Sequence, residues 1–406
     1  MAMTEGDPWF ARPTGDLLGF TTGAAAAGVR DGTPTRLDVA LIVSDRPCYA
    51  GGVFTTNQVI AAPCVVTRRH LERGPLRAIV VNSGNANACT GEQGERDAIA
   101  MAKAAADKIG CDLHEIAVAS TGVIGVALPI ERITSAIASI DLRSDGWDDV
   151  ARAMMTTDTR PKLSRHDCVL GWAGASGTIH VRGVAKGAGM IHPNMATMLA
   201  FVLTDAVVGA NLTGLTRSFA AESFNRISID GDTSTNDTLL LLANGASGLK
   251  AEGKDRYGVQ DALFRTCDEL AQEILADGEG VTRVFKVVVR NAASDEEAML
   301  AARAITTSNL VKTAIHGADP NWGRIIAAAG RSGAKVDQTR AAIRIGDVNV
   351  FESGAPCAFD KARMREIFTE PGLRIRIELG VGKGKAEAWG TDLSEEYVRI
   401  NADYTT

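Results

Sequence analysis

Apolar runs and their interruptions set the first outline of this chain. Residues 37–44, "LDVALIVS", read as a buried strand, and "AGGVFTTN" as a second strand ending in a loop. "LRAIVVNSGNANACTG" is a strand over Leu76–Val81 that empties into a loop of small polar residues, and an alanine-rich helix over 97–109 follows. "IAVASTGVIG" is another apolar strand, breaking at Thr121-Gly122. In "GTIHVRGVAKGAG" the alternation from Thr178 to Val184 predicts a half-buried strand. Helices are expected at 214–225 and 258–276. From about residue 282 the texture changes: "VTRVFKVVVRNA" is a strand, "SDEEAMLAARAI" a helix with a capping-box pattern at Ser294 and Glu297, and "LRIRIELGVGKGKAEAWGTDL" a hairpin. A domain boundary is placed near residue 283. Strands and helices mix without strict alternation, so a mixed sheet layered with helices is favoured over parallel winding.

Composition narrows the class. With 406 residues, two or three domains are expected, and a core large enough to need no disulfide or metal staple. A net charge of −6 argues against a nucleic-acid surface. The seven cysteines are scattered, odd in number and without a C-x-x-C pair, which fits reduced thiols in the cytoplasm. No stretch approaches bilayer-spanning length, and the N-terminus "MAMTEGDPWF" has no apolar core of a secretory signal.

The chemistry centres on "KGAGMIHPNMATMLAFVLTDA", residues 186–206. Thr197 stands at the lip of an apolar run, with the small residue Ala196 before it. Attack of the Thr197 hydroxyl on the Ala196 carbonyl would form an ester, and hydrolysis would free Thr197 as a new N-terminus. Its α-amine, with a reference pKa of roughly 7.7–8.0, would then serve as the general base. The break "STGVIG" offers a hydroxyl and backbone amides to a developing oxyanion, although taken alone the segment reads better as a plain turn. Lys186, in a Gly-rich stretch, suits a carboxylate-binding or orienting role. No phosphate loop G-x-x-x-x-G-K-[ST] is present, and "GVGKGK" at 380–385 reads as a hairpin turn. "SIDGDTSTNDT" lacks the spacing and final glutamate of a calcium loop and reads as a hydrogen-bonded turn; no metal site is expected. His192 reads as a loop or supporting histidine. Glu279 in "LADGEGVT" is either a helix-end turn or a carboxylate for a cationic side chain, and "HGADPNWGRI", dense in turn residues around Trp322, reads equally as part of a site or as a structural corner.

Seven segments in order, "NSGNANACTG", "STGVIG", "MTTDTRPK", "KGAGMIHPNMATMLAFVLTDA", "SFNRISIDGDTSTNDT", "GADPNWGRI" and "YVRINADYTT", closely resemble the ornithine acetyltransferases of arginine biosynthesis, or glutamate N-acetyltransferases. The resemblance runs from about residue 19 to the C-terminus. It implies a layered αββα sandwich with mixed sheets plus a smaller C-terminal α/β domain. It implies self-cleavage between Ala196 and Thr197, giving an alpha chain 1–196 with the oxyanion-hole side and a beta chain that opens with the nucleophile over 197–283. The domain over 284–406 follows, its tail reaching the active site. The fragments would stay together, as a heterotetramer of two alpha and two beta chains. Acetyl would pass from N2-acetyl-L-ornithine to L-glutamate by ping-pong chemistry. By motif, Thr197 is the nucleophile and Thr121 and Gly122 form the oxyanion hole. Thr156, Lys186, Thr197, Glu279, Asn401 and Thr406 contact substrate. No cofactor is implied; acetyl-CoA as a second acetyl donor stays open, as does a hydrolase of the same nucleophile class. His192 stands where the family suggests alanine, and Thr391 where it suggests cysteine.

Overall fold

Strands covered on both faces carry continuous apolar runs, and "LAFVLT" and "TLLLLA" are two such runs at the centre of this molecule. The computed structural model describes residues 16–171, 176–192, 198–209, 212–250, 252–370 and 372–403. In chain order the first part comprises β1 (Phe20–Ala25), β2 (Val39–Phe54), α1 (Ala62–Arg73), β3 (Leu76–Asn85), α2 (Gly91–Ile109), β4 (Ile116–Val123), α3 (Ile130–Ser139), α4 (Trp147–Met154), β5 (Lys162–Leu170), β6 (Gly177–Lys186), β7 (Leu199–Thr204), α5 (Leu212–Glu222), β8 (Ile227–Ser228), β9 (Thr238–Ala243) and α6 (Asp255–Ala276). The second comprises β10 (Val284–Ala292), α7 (Asp295–Thr306), α8 (Asn309–His316), α9 (Trp322–Gly330), β11 (Ala342–Ile345), β12 (Val348–Glu352), β13 (Ala355–Pro356), α10 (Lys361–Thr369), β14 (Leu373–Glu378), β15 (Gly384–Thr391) and α11 (Glu395–Asp403).

The two strands expected over 37–57 are one. β2 pairs with β1 and β3 through its first half and with β9 through its second. Between the halves, Asp45, Arg46 and Pro47 are exposed, and the pairing register with β3 shifts between Val43 and Cys48. The strand crosses there from one sheet layer to the next, giving the order β4-β3-β2-β9-β7-β6-β5. Alternate residues then serve different cores. Ile79, Val81, Ala117 and Ala119 of one layer face Leu199, Phe201, Leu203, Leu240 and Leu242 of the other. Val80 and Val118 turn outward beneath Met101 and Ala105 of α2 and Ile133 of α3. Val202 and Leu241 turn outward beneath Leu263, Leu270 and Ile274 of α6. This is the αββα layering. β6, expected to be half-buried, is covered on both sides: Val184 joins the inter-sheet core and Val181 the outer one.

The second sheet runs β13-β12-β11-β14-β10-β15-β8. The expected hairpin of β14 and β15 does not form. β10 lies between them, parallel to β14 and antiparallel to β15, because its run Phe285, Val287, Val289 fills the centre of that core. "GVGKGK" therefore belongs to a crossing over the end of β10 rather than to a hairpin turn. β8 reaches over from the first part to pair with β15, so the chain around residue 283 is not the only link between the parts. Ser294 caps α7 by accepting from Glu297 N at 3.2 Å, while the Glu297 carboxylate accepts from Lys335 N. Trp322 stacks on Phe351 with ring centroids 5.0 Å apart, making a structural corner.

Candidate active site

The parallel pair β3 and β4 ends with Gly84 opposite Gly122. Gly122 has φ +134, and a Cβ there would lie 2.3 Å from the Gly84 carbonyl carbon and 2.4 Å from Asn85 N. Only glycine lets the two strand ends meet this closely. Thr121 shares the inter-sheet face of Ala117 and Ala119, and Lys186, two residues beyond Val184 on β6, meets it across the gap. Lys186 Nζ donates to Thr121 Oγ1 at 3.3 Å. An ammonium only donates, so the Thr121 hydroxyl hydrogen is left to point elsewhere. Lys186 is buried, which pushes its pKa down, and the Asp158 charge opposes that shift most strongly.

Asp158, two residues after Thr156, joins these segments. It accepts from Gly187 N at 2.6 Å and from Thr156 N at 3.0 Å. Burial resists its ionisation, but Lys186 and Lys162 outweigh burial and hold the carboxyl at about 2.

Glu279 enters from the turn after α6. Its N–H donates to Ala188 O at 2.9 Å, and its carboxylate lies against Gly189, where a Cβ would come within 2.5 Å of it. Asn401 Nδ2 donates to Glu279 Oε2 at 2.8 Å. That contact requires α11 to settle on the Glu279 turn. Gly280, at φ +65, leaves no room for a Cβ, which would stand 2.4 Å from Tyr397 N, and Ser394 Oγ donates to Gly280 O at 2.6 Å.

Thr121, Gly122, Thr156, Lys186, Glu279 and Asn401 line one cavity of about 170 Å³. Met198, the neighbour of Thr197, lines it too. Ala196, Thr197 and Thr406 lie outside the described residues. A family model described as the ArgJ family matches residues 21–406. The chain belongs to the ArgJ family. It is 46% identical to the arginine biosynthesis bifunctional protein ArgJ of Symbiobacterium thermophilum, over 98% of this chain and 100% of that protein. It is 47% identical to the ArgJ of Dehalococcoides mccartyi, over 96% of each. Among solved structures, the Bacillus halodurans arginine biosynthesis bifunctional protein ArgJ is 40% identical with a TM-score of 0.48, covering 50% of this chain and 98% of that one.

Within this ArgJ-family cavity, Asn236 was not anticipated from the sequence. Its Nδ2 donates to Ala86 O at 2.5 Å and Ser120 O at 2.9 Å, stapling the loop after β3 to β4, and Thr238 N donates to Met198 O at 2.9 Å. One asparagine in "TSTND" carries no periodicity that would single it out. The aspartates nearby make the expected turn: Asp230 accepts from Met190 N, Ile191 N and Asp232 N. Among the described residues no group of three or more His, Cys, Asp or Glu side chains could hold a metal ion. His192 and Thr391 do not line the cavity. Arg303 Nη2 donates to His192 Nε2 at 2.6 Å, so the ring hydrogen sits on Nδ1, which donates to Ser228 Oγ at 3.0 Å. Burial first, and then Arg303, push the His192 pKa down to about 4. Thr391 Oγ1 accepts from the buried Lys312 at 3.1 Å.

Proposed function

We propose that this protein is a self-cleaving glutamate N-acetyltransferase of arginine biosynthesis, moving acetyl from N2-acetyl-L-ornithine to L-glutamate. The convergence of Thr121, Gly122, Thr156, Lys186, Glu279 and Asn401 on one cavity beside Met198 carries this reading. Membership in the ArgJ family supports it.

Scission of the Ala196–Thr197 bond frees the Thr197 α-amine. That amine takes the hydroxyl proton as Oγ attacks the acetyl carbonyl, and Thr121 and Gly122 stabilise the oxyanion. The C–N bond breaks, the proton passes to the departing ornithine amine, and acetyl remains on Thr197. The glutamate α-amine then attacks the ester carbonyl and loses a proton to the base; the Thr197 Oγ–C bond breaks, the base returns the proton to Oγ, and N-acetylglutamate leaves. Lys186 meets the substrate carboxylate, Glu279 the ornithine ammonium, and Thr156, Asn401 and Thr406 complete the contacts. The fragments 1–196 and 197–406 assemble as a heterotetramer in the cytoplasm, and no cofactor takes part.

Glutamate-dependent release of ornithine from N2-acetylornithine is the deciding assay. Release indifferent to glutamate would mean a hydrolase instead. Thr197→Ala is expected to abolish both the two bands on a denaturing gel and turnover. The word "bifunctional" in the relatives' names favours a second reading, in which acetyl-CoA also donates acetyl to glutamate; acetylation of glutamate with acetyl-CoA alone would establish it.

A further inference from the structure

Lys162 is 1% exposed, and it lies between two buried carboxylates. Its Nζ donates to Asp158 Oδ1 at 2.7 Å and to Asp277 Oδ2 at 2.5 Å. Asp277 in turn accepts from Thr159 N at 3.0 Å and from the Thr159 hydroxyl. Replacing a buried ion pair by apolar residues often leaves stability unchanged or raises it, so stability alone does not account for such a cluster. Its position does. The node touches the Thr156 loop through Asp158, the Lys186–Gly187 peptide through Gly187 N, and the turn leading to Glu279 through Asp277.

Among the described residues the Lys186 ammonium makes one hydrogen bond, to Thr121 Oγ1. An ammonium so poorly solvated loses its proton readily unless carboxylates face it. Asp158, Glu279 and Asp237 supply negative charge, and Lys162 opposes them. Asp158 cannot swing away, because Lys162, Gly187 N and Thr156 N hold both its oxygens. The charge on Lys186 decides the direction of a second hydrogen bond. A charged lysine donates to Thr121 and leaves that hydroxyl free to donate into the cavity. A neutral amine accepts, and would draw the Thr121 hydrogen toward itself.

We propose that Asp158 is a positioning residue, clamped by Lys162 and Asp277, that keeps Lys186 a charged donor to Thr121 and so aims the Thr121 hydroxyl at the oxyanion. This rests on the acetyl-transfer reading, in which Thr121 is an oxyanion donor. The reaction itself is untouched: Asp158 makes and breaks no bond to substrate.

The test compares Asp158→Asn with the unaltered enzyme from pH 6.5 to 9, using glutamate-dependent transfer. Loss of one oxyanion donor costs about 10²–10³ in kcat. The variant is expected to fall at least ~10-fold at pH 9 and to approach the unaltered rate as acidification restores the Lys186 proton, its alkaline limb lying at least ~1 pH unit lower. In a Thr121→Val background, with no hydroxyl to aim, Asp158→Asn should lose that pH-dependent effect. If Asp158→Asn does not fold, Thr159→Val, which only takes a hydroxyl from Asp277, is expected to give the same alkaline loss at ~2–3-fold amplitude. A variant-to-unaltered ratio that stays flat with pH, or a Thr121→Val background that leaves the effect intact, overturns the proposal. Absence of glutamate-dependent transfer by the unaltered enzyme would instead remove the reaction on which it rests.

Discussion

Asn401 donates to the carboxylate of Glu279 at 2.8 Å, joining side chains 122 residues apart in sequence. The bond places the last helix of the described chain at the cavity wall and fixes one oxygen of Glu279, the only glutamate lining it among the described residues.

Asn401→Ala should therefore weaken substrate binding without disturbing the chemistry. Asn401 is exposed, so the loss is about 1 kcal/mol, or a ~5–10-fold rise in KM for the ornithine-side substrate, with kcat within ~3-fold. Steady-state kinetics decide it; an unchanged KM would detach α11 from the site.

Gly122→Ala has no accommodating rearrangement, since the new carbon would meet backbone atoms of Gly84 and Asn85 and φ is +134. We expect the ends of β3 and β4 to be forced apart and kcat to fall at least ~100-fold. Circular dichroism alongside kinetics separates a displaced loop from an unfolded chain. A variant with ordinary turnover would rule out this strand end as the oxyanion site.

The His192 pKa is pushed down to about 4 in the fold, against about 6.5 in an unfolded chain. The unfolded state thus binds more protons between these values, and stability is lost as pH falls from 6.5 toward 4. Discounting for partial exposure, the loss at pH 5 is about 1–2 kcal/mol. His192→Ala should remove this acid sensitivity, seen as a smaller drop in Tm between pH 7 and 5. An identical drop in both proteins would assign the acid loss to other groups.

Lys312 shows the same linkage at alkaline pH. Burial pushes its pKa down to about 8, against about 10.4 unfolded, so its contribution to stability rises as pH climbs from 8 to 10.4. Its ammonium also donates to Ile229 O, Thr391 O and Asp392 O. Lys312→Met leaves these carbonyls unpaired and is expected to cost about 2–4 kcal/mol at pH 7, with the gap to the unaltered protein widening above pH 8. Denaturant unfolding at pH 7 and 9.5 measures both quantities.

What the sequence showed and what it hid divide along physical lines. Runs such as Leu199–Thr204 and Thr238–Ala243 betray strands because burial on both faces demands apolar residues throughout. Periodicity reports which face is buried, not which strand is the neighbour, so β14 and β15 read as a hairpin although β10 separates them. β2 read as two strands because Asp45-Arg46-Pro47 interrupts the apolar pattern where the strand changes layers. α1 was not foreseen; it begins at Ala62-Pro63 and carries four basic residues, Arg68, Arg69, His70 and Arg73, over one modest apolar face. Glycines, hydroxyls and charges in short motifs marked the cavity. The burial of Lys162 and the staple made by Asn236 depend on chain segments more than a hundred residues away, which no local pattern records.

The place of β7 has a consequence for a polypeptide nicked just before it. On one side β7 pairs along its length with β6, upstream of the nick, and on the other with β9, downstream. β2, also upstream, pairs with β9 as well. The two pieces are interleaved within one sheet, so parting them would mean peeling strands and wetting Leu199, Phe201, Leu240 and Leu242. Dissociation and global denaturation become the same event. A fully processed sample should sediment under native conditions just as the intact chain does, with dilution alone unable to release either half.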